Sequence, residues 1–406
     1  MGNSQNPDMA NKYGQIYMNT DSKNYFQGEI VKGSIFINII QPYPGKILYL
    51  SIEGQEFCQW ARRTRNKDNI KGRMEKKKRC GPKGFRDIYS HKIAIYSFGD
   101  QKIPKGQWTF PFVFELDKDM PASFKFLSPK IDSYIIYRMR AIIESADLKA
   151  VKSMEHAQEL NIFQIRDENY APISKNASLE STLFWVFSRG NTQINAFLNK
   201  NNYILGEEVV LTCEIDNKQC KSEVTFIGLE MIRRLEMNSR CGREKKKNFK
   251  LLTRRNDLFI PENHKSIVLT EFKFKLANEK RQKIKNLKMI PNTSIGKLVK
   301  NHYFLKITIN YGGFFGTKHH KIMLPIMVYE KGYDEKFNPV IVQPPIDWNP
   351  QVMPIRNFSM IDAQFAGPSA IKNENEVMAG YEYPVLNQDN FWSDEKYQMM
   401  EQNYKK

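Results

Sequence analysis

Two stretches of the sequence begin in nearly the same way: NYFQGEIVKGSIFINI at Asn24–Ile39 and NYILGEEVVLTCEIDN at Asn202–Asn217. Both read N-Y-x-x-G-E-x-V and continue in alternating apolar residues, and the second begins 178 residues after the first. A period of that length has the size of a domain and is too long for a solenoid repeat. The repeat therefore predicts two related domains in tandem within the 406 residues.

Both stretches have the period-two pattern of a half-buried β-strand. The residues on the apolar face are Val31, Gly33, Ile35, Ile37 and Ile39 in the first copy, and Val209, Leu211, Cys213 and Ile215 in the second. Alternation of this kind places one face on a core and the other in water. The shared glycines, Gly28 and Gly206, precede each strand, where a turn requires a residue that tolerates positive φ.

The similarity continues along both halves in the same order. The matching segments are Lys46–Trp60 with Glu223–Met237, the F-x-F-x-L runs Phe112–Leu116 with Phe272–Leu276, and Ser133–Ile143 with His302–Tyr311. Neither half has a convincing long amphipathic helix, and Ala146–Leu160 is interpreted as part of a hairpin. Many short strands separated by turns predict an all-β fold of two tandem antiparallel immunoglobulin-like β-sandwiches.

Composition divides the chain into four parts. We expect a disordered N-terminus over 1–12, one β-sandwich over 13–172 and a second over 173–332. The boundary follows from the polar stretch between Asp167 and Ser181. After about residue 333 the alternation ends, and 333–406 is rich in Asn, Gln, Met and Pro. This last part is predicted to be a mostly disordered tail.

The ordered motifs resemble those of the arrestin fold. The matching residues are Tyr25, Gly28, Glu29, Val31, Gly33, Leu48, Leu50, Gly54, Glu56, Trp60, Pro111–Leu116, Pro121–Phe124, Ile135, Tyr137 and Ala141 in the first half, and Tyr203, Gly206, Glu207 and Ile215–Asn217 in the second. The resemblance covers most of the chain and is closest to the arrestin-domain-containing, or alpha-arrestin, group. The PPxY motif of that group is missing, since the double proline in Pro344–Asp347 lacks the tyrosine.

The resemblance implies a non-enzymatic adaptor that binds cytoplasmic segments of membrane proteins in endocytosis, sorting or signalling. A retromer-like structural coat subunit with the same fold is the alternative. Expected partners are membrane-protein cytoplasmic tails, with an anionic membrane surface and clathrin adaptors as further candidates. We expect a cytoplasmic protein with peripheral association at the plasma membrane or endosomes.

Charge is concentrated in two segments at equivalent positions of the two halves. Ala61–Ile88 has twelve Lys or Arg and three acids, and Ser239–Arg255 has eight and one, in a chain of net charge +18. We interpret both as basic loops. The candidate residues for binding anionic lipid or phosphate are Arg62, Arg63, Arg65, Lys76, Lys77, Lys78, Arg79, Arg243, Lys245, Lys246 and Lys247.

The two basic runs are compatible with a passive role as well as a binding role. Charge runs are usually solvated loops, and the competing hypothesis is attraction to anionic headgroups or acidic and phosphorylated tails. Nucleic acid is not expected as a partner, because no aromatic residues interleave the basic runs and no groove-entering helix is visible.

Catalytic and metal-binding motifs are missing from the sequence. It contains no HExxH, GxSxG, P-loop or GxGxxG pattern. Its five cysteines have irregular spacing, which indicates free thiols and neither a zinc site nor a disulfide framework. We therefore expect no enzymatic activity, no metal and no cofactor. In the tail, Tyr383-Pro-Val-Leu386 fits a tyrosine-based sorting signal, with Tyr383 and Leu386 as its two anchors.

Overall fold

The computed structural model describes residues 12–61, 82–99, 102–146, 151–165, 172–183, 187–276, 291–312, 321–329 and 341–359. Within these ranges the chain forms twenty-one β-strands and no helix. The predicted all-β fold is therefore confirmed. No helix that could cross a membrane occurs among the residues so described.

The N-terminal sandwich contains the first nine strands: β1 (Gly14–Thr20), β2 (Asn24–Phe26), β3 (Ile30–Ile39), β4 (Gly45–Trp60), β5 (Lys83–Ser97), β6 (Gly106–Glu115), β7 (Phe124–Ser128), β8 (Ile131–Ser145) and β9 (Met154–Phe163). One sheet has the order β1-β3-β6, and the other has the order β2-β9-β8-β4-β5 with β7 beside β8. Apolar side chains of the two sheets meet in one core, as in a β-sandwich. The predicted hairpin before Leu160 corresponds to the antiparallel pair β8 and β9.

The C-terminal sandwich repeats this arrangement with ten strands: β10 (Ile173–Leu183), β11 (Phe187–Leu198), β12 (Asn202–Ile204), β13 (Glu208–Cys220), β14 (Val224–Asn238), β15 (Glu244–Ile260), β16 (Val268–Lys275), β17 (Ser294–Ile295), β18 (Val299–Tyr311) and β19 (Lys321–Tyr329). Its sheets have the orders β10-β11-β13-β16 and β12-β19-β18-β14-β15, with β17 beside β18. In both halves the short second strand pairs in parallel with the last long one, β2 with β9 and β12 with β19.

The repeated N-Y-x-x-G-E motif forms the same tight turn in both sandwiches. In each copy the glutamate accepts the backbone N–H of the residue three positions earlier, at 2.6 Å for Glu29 and 3.0 Å for Glu207. Gly28 and Gly206 have φ of 71° and 99°, which only glycine adopts readily. The motif is therefore a turn in which the acid and the glycine are both needed.

A buried tyrosine is also repeated at equivalent positions of β8 and β18. The hydroxyl of Tyr137 donates to the carbonyl of Pro121 at 2.7 Å, and that of Tyr303 donates to the carbonyl of Pro291 at 2.5 Å. Each bond ties a long central strand to the segment that precedes its neighbour. The two halves thus share specific hydrogen bonds as well as a strand order.

The two sandwiches are packed together through a common apolar interior. Leu235, Met237 and Val299 of the C-terminal sandwich are fully buried within the core of the N-terminal one. Burying a side chain of this size contributes roughly 1.5–3 kcal/mol. The junction is therefore a packed interface, in which the C-terminal sandwich completes part of the N-terminal core.

The segment Ser239–Arg255 is not a loop, which corrects the sequence prediction. From Glu244 onward it is part of β15, which pairs with β14 along its whole length. β15 is the edge strand of its sheet, and many of its side chains are exposed on both faces. An edge strand of this kind needs no apolar alternation, so its sequence looks like a polar loop.

The predicted tail also contains structure. Gln351–Val352 and Arg356–Ser359 form β20 and β21, which pair in parallel with β6 at the edge of the N-terminal sandwich. Strand addition uses backbone groups, so the added segment needs no apolar pattern. Of the segments expected to be disordered, 1–12 and 333–406, residues 1–11, 333–340 and 360–406 lie outside the described ranges. The domain boundary at 172/173 stays a prediction, although the polar stretch proposed as linker contains β10 from Ile173 onward.

Candidate anion-binding surface

The structure describes four of the eleven basic residues proposed from the sequence, namely Arg243, Lys245, Lys246 and Lys247. The others lie outside the described residues: Arg62, Arg63, Arg65, Lys76, Lys77, Lys78 and Arg79. The sorting-signal residues Tyr383 and Leu386 also lie outside them. Roles for these residues stay predictions.

Arg243 is exposed at the tip of the hairpin that joins β14 to β15. The turn closes through Ser239, whose backbone N–H donates to the carbonyl of Arg243 at 2.9 Å and whose hydroxyl accepts the N–H of Arg243 at 3.1 Å. Gly242 allows the reversal because its φ is 73°. The arginine side chain is therefore presented by a well-bonded turn.

The three consecutive lysines do not form one cluster. Strand alternation places Lys245 and Lys247 on the face that carries Met237 and Leu235, which is directed toward the N-terminal sandwich, and Lys246 on the outer face. Lys247 lies 5.9 Å from the ring centroid of Phe249, whereas Lys246 lies 3.7 Å from the carboxylate of Glu236. Of these three lysines, only Lys246 belongs to the exposed outer sheet surface.

That outer surface, formed by β15, β14 and β18, carries six basic side chains aligned by strand register. We call it the basic sheet face, and its members are Arg234, Lys246, Lys250, Arg255, Lys300 and Lys306. Four carboxylates share the face, Glu230, Glu236, Glu244 and Asp257, which leaves a formal charge of +2. The side chains of Lys246, Lys250 and Arg255 are more than half exposed.

Glu230 lies between two of these lysines. It accepts hydrogen bonds from Lys250 and, at 2.8 Å, from Lys306. Burial alone would raise the pKa of Glu230, but the two hydrogen bonds and the lysine charges together hold it below its ordinary value. One carboxylate is thus shared by two cations, so the group of three remains positive overall.

Two aromatic rings support arginines on the same face. The guanidinium of Arg234 lies 4.7 Å from the ring centroid of Phe304, and that of Arg255 lies 3.8 Å from that of Phe226. Stacking of this type fixes the plane of the guanidinium. Nε of Arg255 donates to Asp257 at 2.5 Å and Nε of Arg234 donates to Asn248 at 3.0 Å, so the terminal N–H groups are those left to bind a ligand. A fixed, outward-facing guanidinium suits carboxylate or phosphate oxygens.

The equivalent face of the N-terminal sandwich has a different charge balance. Its ion pairs join one base to one acid: Lys92 with Glu144, Arg138 with Glu159, and Arg140 with Glu53. Exposed pairs of this kind contribute little to stability and present no excess charge. Among the described residues, the positive excess is therefore a property of the C-terminal sheet and not of the repeated fold.

The tip of the β14–β15 hairpin contacts the last residues of β4 and the first residues of β5. The backbone N–H of Arg240 donates to the carbonyl of Lys83 at 3.1 Å, and its Nε donates to the carbonyl of Phe85 at 3.2 Å. The thiol of Cys58 donates to the carbonyl of Asn238 at 3.2 Å. The described ends of β4 and β5, which flank the first basic run in the sequence, therefore lie beside the start of the second run.

Sequence reasoning missed most of the basic sheet face. Arg234, Lys300 and Lys306 are spread over two strands, and no run of charge marks them. Their adjacency depends on the register of β14 with β18, in which Glu236 lies opposite Lys300 and Glu230 lies opposite Lys306. The polar positions of a period-two pattern could have indicated that these residues share the solvent face of each strand.

The fold consists of two tandem β-sandwiches, one of which carries a basic outer surface. Comparison with protein families identifies the family to which the chain belongs. Residues 14–167 match the family described as arrestin (or S-antigen), N-terminal domain, and residues 188–333 match arrestin (or S-antigen), C-terminal domain. The chain therefore belongs to the arrestin family, whose members are non-enzymatic adaptors.

Two curated proteins show the same relationship at low identity. Arrestin domain-containing protein A of Dictyostelium discoideum is 22% identical over 213 residues, which are 51% of this chain and 35% of that protein. Arrestin domain-containing protein 17 of Caenorhabditis elegans is 22% identical over 243 residues, which are 58% of this chain and 54% of that protein. The matches thus span about a third and about half of the relatives' own lengths.

Proposed function

We propose that this arrestin-like protein is an adaptor that binds cytoplasmic segments of membrane proteins and directs their endocytosis, sorting or signalling. Family membership supports an adaptor in general. The basic sheet face supports the finer statement, because the cytoplasmic surroundings of membrane proteins offer acidic or phosphorylated segments and anionic headgroups. We place the protein in the cytoplasm, with peripheral association at the plasma membrane or endosomes.

The observation that carries this proposal is the charge asymmetry between the two sandwiches. A juxtamembrane Lys or Arg contributes about 1 kcal/mol near an anionic leaflet. Lys246, Lys250 and Arg255 are the most exposed members of the face, and each also contacts a carboxylate of that face. Together they would contribute at most about 3 kcal/mol. That is sufficient for reversible recruitment without a lipid anchor, and it should weaken with salt because exposed charges are screened within about 8–10 Å.

The test is co-sedimentation with liposomes of rising anionic lipid content, together with binding of a phosphorylated peptide. The variant K246Q/K250Q/R255Q should weaken binding by about a hundredfold, the equivalent of roughly three such contributions. The matched control is K92Q/K105Q/R138Q, which removes three exposed bases from the N-terminal sandwich and should change binding little. If the first variant binds both probes as well as the wild type, the basic sheet face is only a solvated surface.

The first basic run provides a second arm of the same test. Neutralising the four bases Lys76, Lys77, Lys78 and Arg79 should weaken binding on its own. When this change is combined with the sheet-face variant, the affinity should fall by more than the two separate effects predict. Two sites on one chain reinforce each other through effective concentration. A purely additive result would indicate that the two sites act independently.

The retromer-like coat subunit remains the alternative, and purification from the native cell separates the two. A coat subunit should be recovered in a stoichiometric complex, whereas an adaptor should be recovered with substoichiometric membrane-protein cargo.

We also propose that Tyr383-Pro-Val-Leu386 binds the medium chain of a clathrin adaptor, as an extended peptide with two anchoring side chains. A tail peptide should bind that chain at micromolar concentration, and Y383A/L386A should abolish the binding. A wild-type peptide that does not bind would remove this proposal without affecting the one above.

A further inference from the structure

A cavity opens where one sheet of the N-terminal sandwich exchanges one strand for another. β8 pairs with β9 through Tyr137–Ile143 and with β7 through Ile131–Ile135, on the side of β8 opposite to β4. The end of β9 turns away at this point and pairs with β2. A space of about 400 Å³ remains between these strands, and Asn292 and Tyr329 of the C-terminal sandwich also line it. Its size and its place between two domains are typical of a ligand site.

The cavity has a fixed frame and largely aromatic walls. The backbone N–H of Ser123 donates to the carbonyl of Ile162 at 2.7 Å, and the hydroxyl of Ser123 accepts the N–H of Ile162 at 2.8 Å. These two bonds tie the segment before β7 to β9. The aromatic lining residues are the buried Phe124, Tyr137 and Tyr329 and the partly exposed Phe26 and Phe163. Walls of this kind suit a ring or another large apolar side chain.

Carboxamide groups line the same cavity and match a peptide group. Asn24 and Asn161 lie opposite each other on β2 and β9, and Nδ2 of Asn161 donates to Oδ1 of Asn24 at 3.0 Å. This bond leaves Nδ2 of Asn24 as a donor beside Oδ1 of Asn161 as an acceptor. A peptide group offers one C=O and one N–H, which is the complementary pair. Gln164 contributes a third carboxamide to the lining.

The charge of the lining favours an anionic ligand. Among the described residues, two charged side chains line the cavity, Lys125 and Glu159. The carboxylate of Glu159 lies 3.4 Å from the guanidinium of Arg138, which offsets its charge. Lys125 is exposed near the start of β7 and has no ion-pair partner among the described residues. The excess positive charge at the cavity therefore comes from Lys125, and it attracts a carboxylate.

We propose that this cavity binds a short extended segment of a partner protein in which a phenylalanine or tyrosine lies next to an aspartate or glutamate. The ring enters between the aromatic walls, a peptide group of the segment bonds to Asn24 and Asn161, and the carboxylate pairs with Lys125. The inference rests on the proposed adaptor function for its protein partner, but it uses no residue of the basic sheet face.

Fluorescence polarisation of labelled, terminally blocked tetrapeptides with the full chain tests the site. The two probes have a phenylalanine directly before or directly after an aspartate, with glycine at the remaining positions. At least one probe should bind at micromolar concentration, and replacing its phenylalanine by alanine should abolish the binding, because the ring is the anchor. If neither probe binds below millimolar concentration, or if the alanine probe binds equally well, the proposal is overturned.

Two variants of the cavity locate the bound probe. N161A should weaken binding about tenfold, because a peptide group loses its acceptor, and K125Q should weaken it about fivefold, the effect of one exposed ion pair. Replacing the aspartate of the probe by asparagine should weaken binding to the wild type by the same factor but leave binding to K125Q unchanged, since both changes remove the same pair. A merely structural role of Lys125 would not produce this dependence. The matched control is K130Q, which removes an exposed lysine beyond the end of β7 and outside the cavity, and it should bind like the wild type.

The same assays distinguish the cavity from the basic sheet face. K246Q/K250Q/R255Q should leave probe binding unchanged, whereas K125Q should leave co-sedimentation with anionic liposomes unchanged. Failure of one proposal is therefore distinguishable from failure of the other. If the sheet-face variant weakens probe binding as much as K125Q does, the probe binds the basic sheet face and the cavity proposal is overturned.

The chain's own C-terminal segment is the other candidate occupant. Phe391 and Trp392 precede Asp394 and Glu395, so this segment combines rings and acids in the same way. F391A/W392A in the full chain should leave the affinity for the probe unchanged. If it raises that affinity several-fold, the cavity holds the chain's own segment and the proposal of a partner segment is overturned.

Discussion

Replacing Glu207 by alanine tests the physical basis of the repeated turn. The change removes the acceptor for the N–H of Ile204, a residue only 4% exposed, and the contact with Lys200 at 2.7 Å. An unsatisfied buried N–H costs about 1–3 kcal/mol, and the partly exposed ion pair adds up to about 0.5 kcal/mol. We therefore expect the free energy of unfolding to fall by about 2 kcal/mol, which lowers the melting temperature by roughly 4–8 °C for a domain of this size.

Thermal denaturation followed by circular dichroism or calorimetry measures this shift, and two further variants define its cause. E207Q keeps an acceptor oxygen and should lose less than about 1 kcal/mol. E214A removes an exposed acid that accepts a bond from Asn195 at 2.9 Å, and it should change stability by no more than about 0.5 kcal/mol. The reasoning is refuted if E207A is no worse than E214A, or if E207Q is as damaging as E207A.

Two further predictions concern thiol reactivity and backbone strain. The hydrogen bond with Ser239 lowers the pKa of the exposed Cys241, whereas burial raises that of Cys58 to about 11 and that of Cys213 to about 12. Iodoacetamide at pH 8 should therefore label Cys241 before Cys58 and Cys213 in a mass-spectrometric time course, and equal rates for these three thiols would contradict the burial order. Gly190 has φ of 94° and a Cβ there would lie 1.9 Å from the carbonyl oxygen of Gln219, so G190A should cost more than about 3 kcal/mol. Gly99 has φ of 85° and open space around it, so G99A should cost about 1–2 kcal/mol, and equal melting temperatures for these two variants would exclude the clash.

The duplicated fold could be predicted from the sequence because its signals are local. The turn glycines Gly28 and Gly206 and the alternating strands that follow them are each specified by residues a few positions apart. Such short-range patterns survive in a single sequence, and their repetition at a fixed offset excludes coincidence. Both strands that follow the motif, β3 and β13, have the predicted apolar faces buried.

The basic sheet face and the junction could not be predicted in the same way. Lys246 and Lys300 lie on either side of Glu236, on the two strands that flank β14, and Lys300 is more than fifty positions from both residues in the sequence. Glu56 was recognised as a motif residue, but its burial depends on the turn at Leu298, contributed by the other sandwich. The sequence shows which residues are charged or polar. Which partners these residues contact depends on pairing between distant strands, which no local pattern encodes.

The strand pair added by the C-terminal segment has a practical consequence for recombinant production. A fragment designed to end with the second family match, at residue 333, would lack β20 and β21. Met353, whose N–H donates to the carbonyl of Thr109 at 2.8 Å and whose side chain packs against the N-terminal core, would be lost with them. β6 would then present a bare edge to solvent, and bare edges recruit other chains. A stop codon after Ser359 keeps that edge covered, so the longer fragment should remain monomeric at concentrations where the shorter one precipitates.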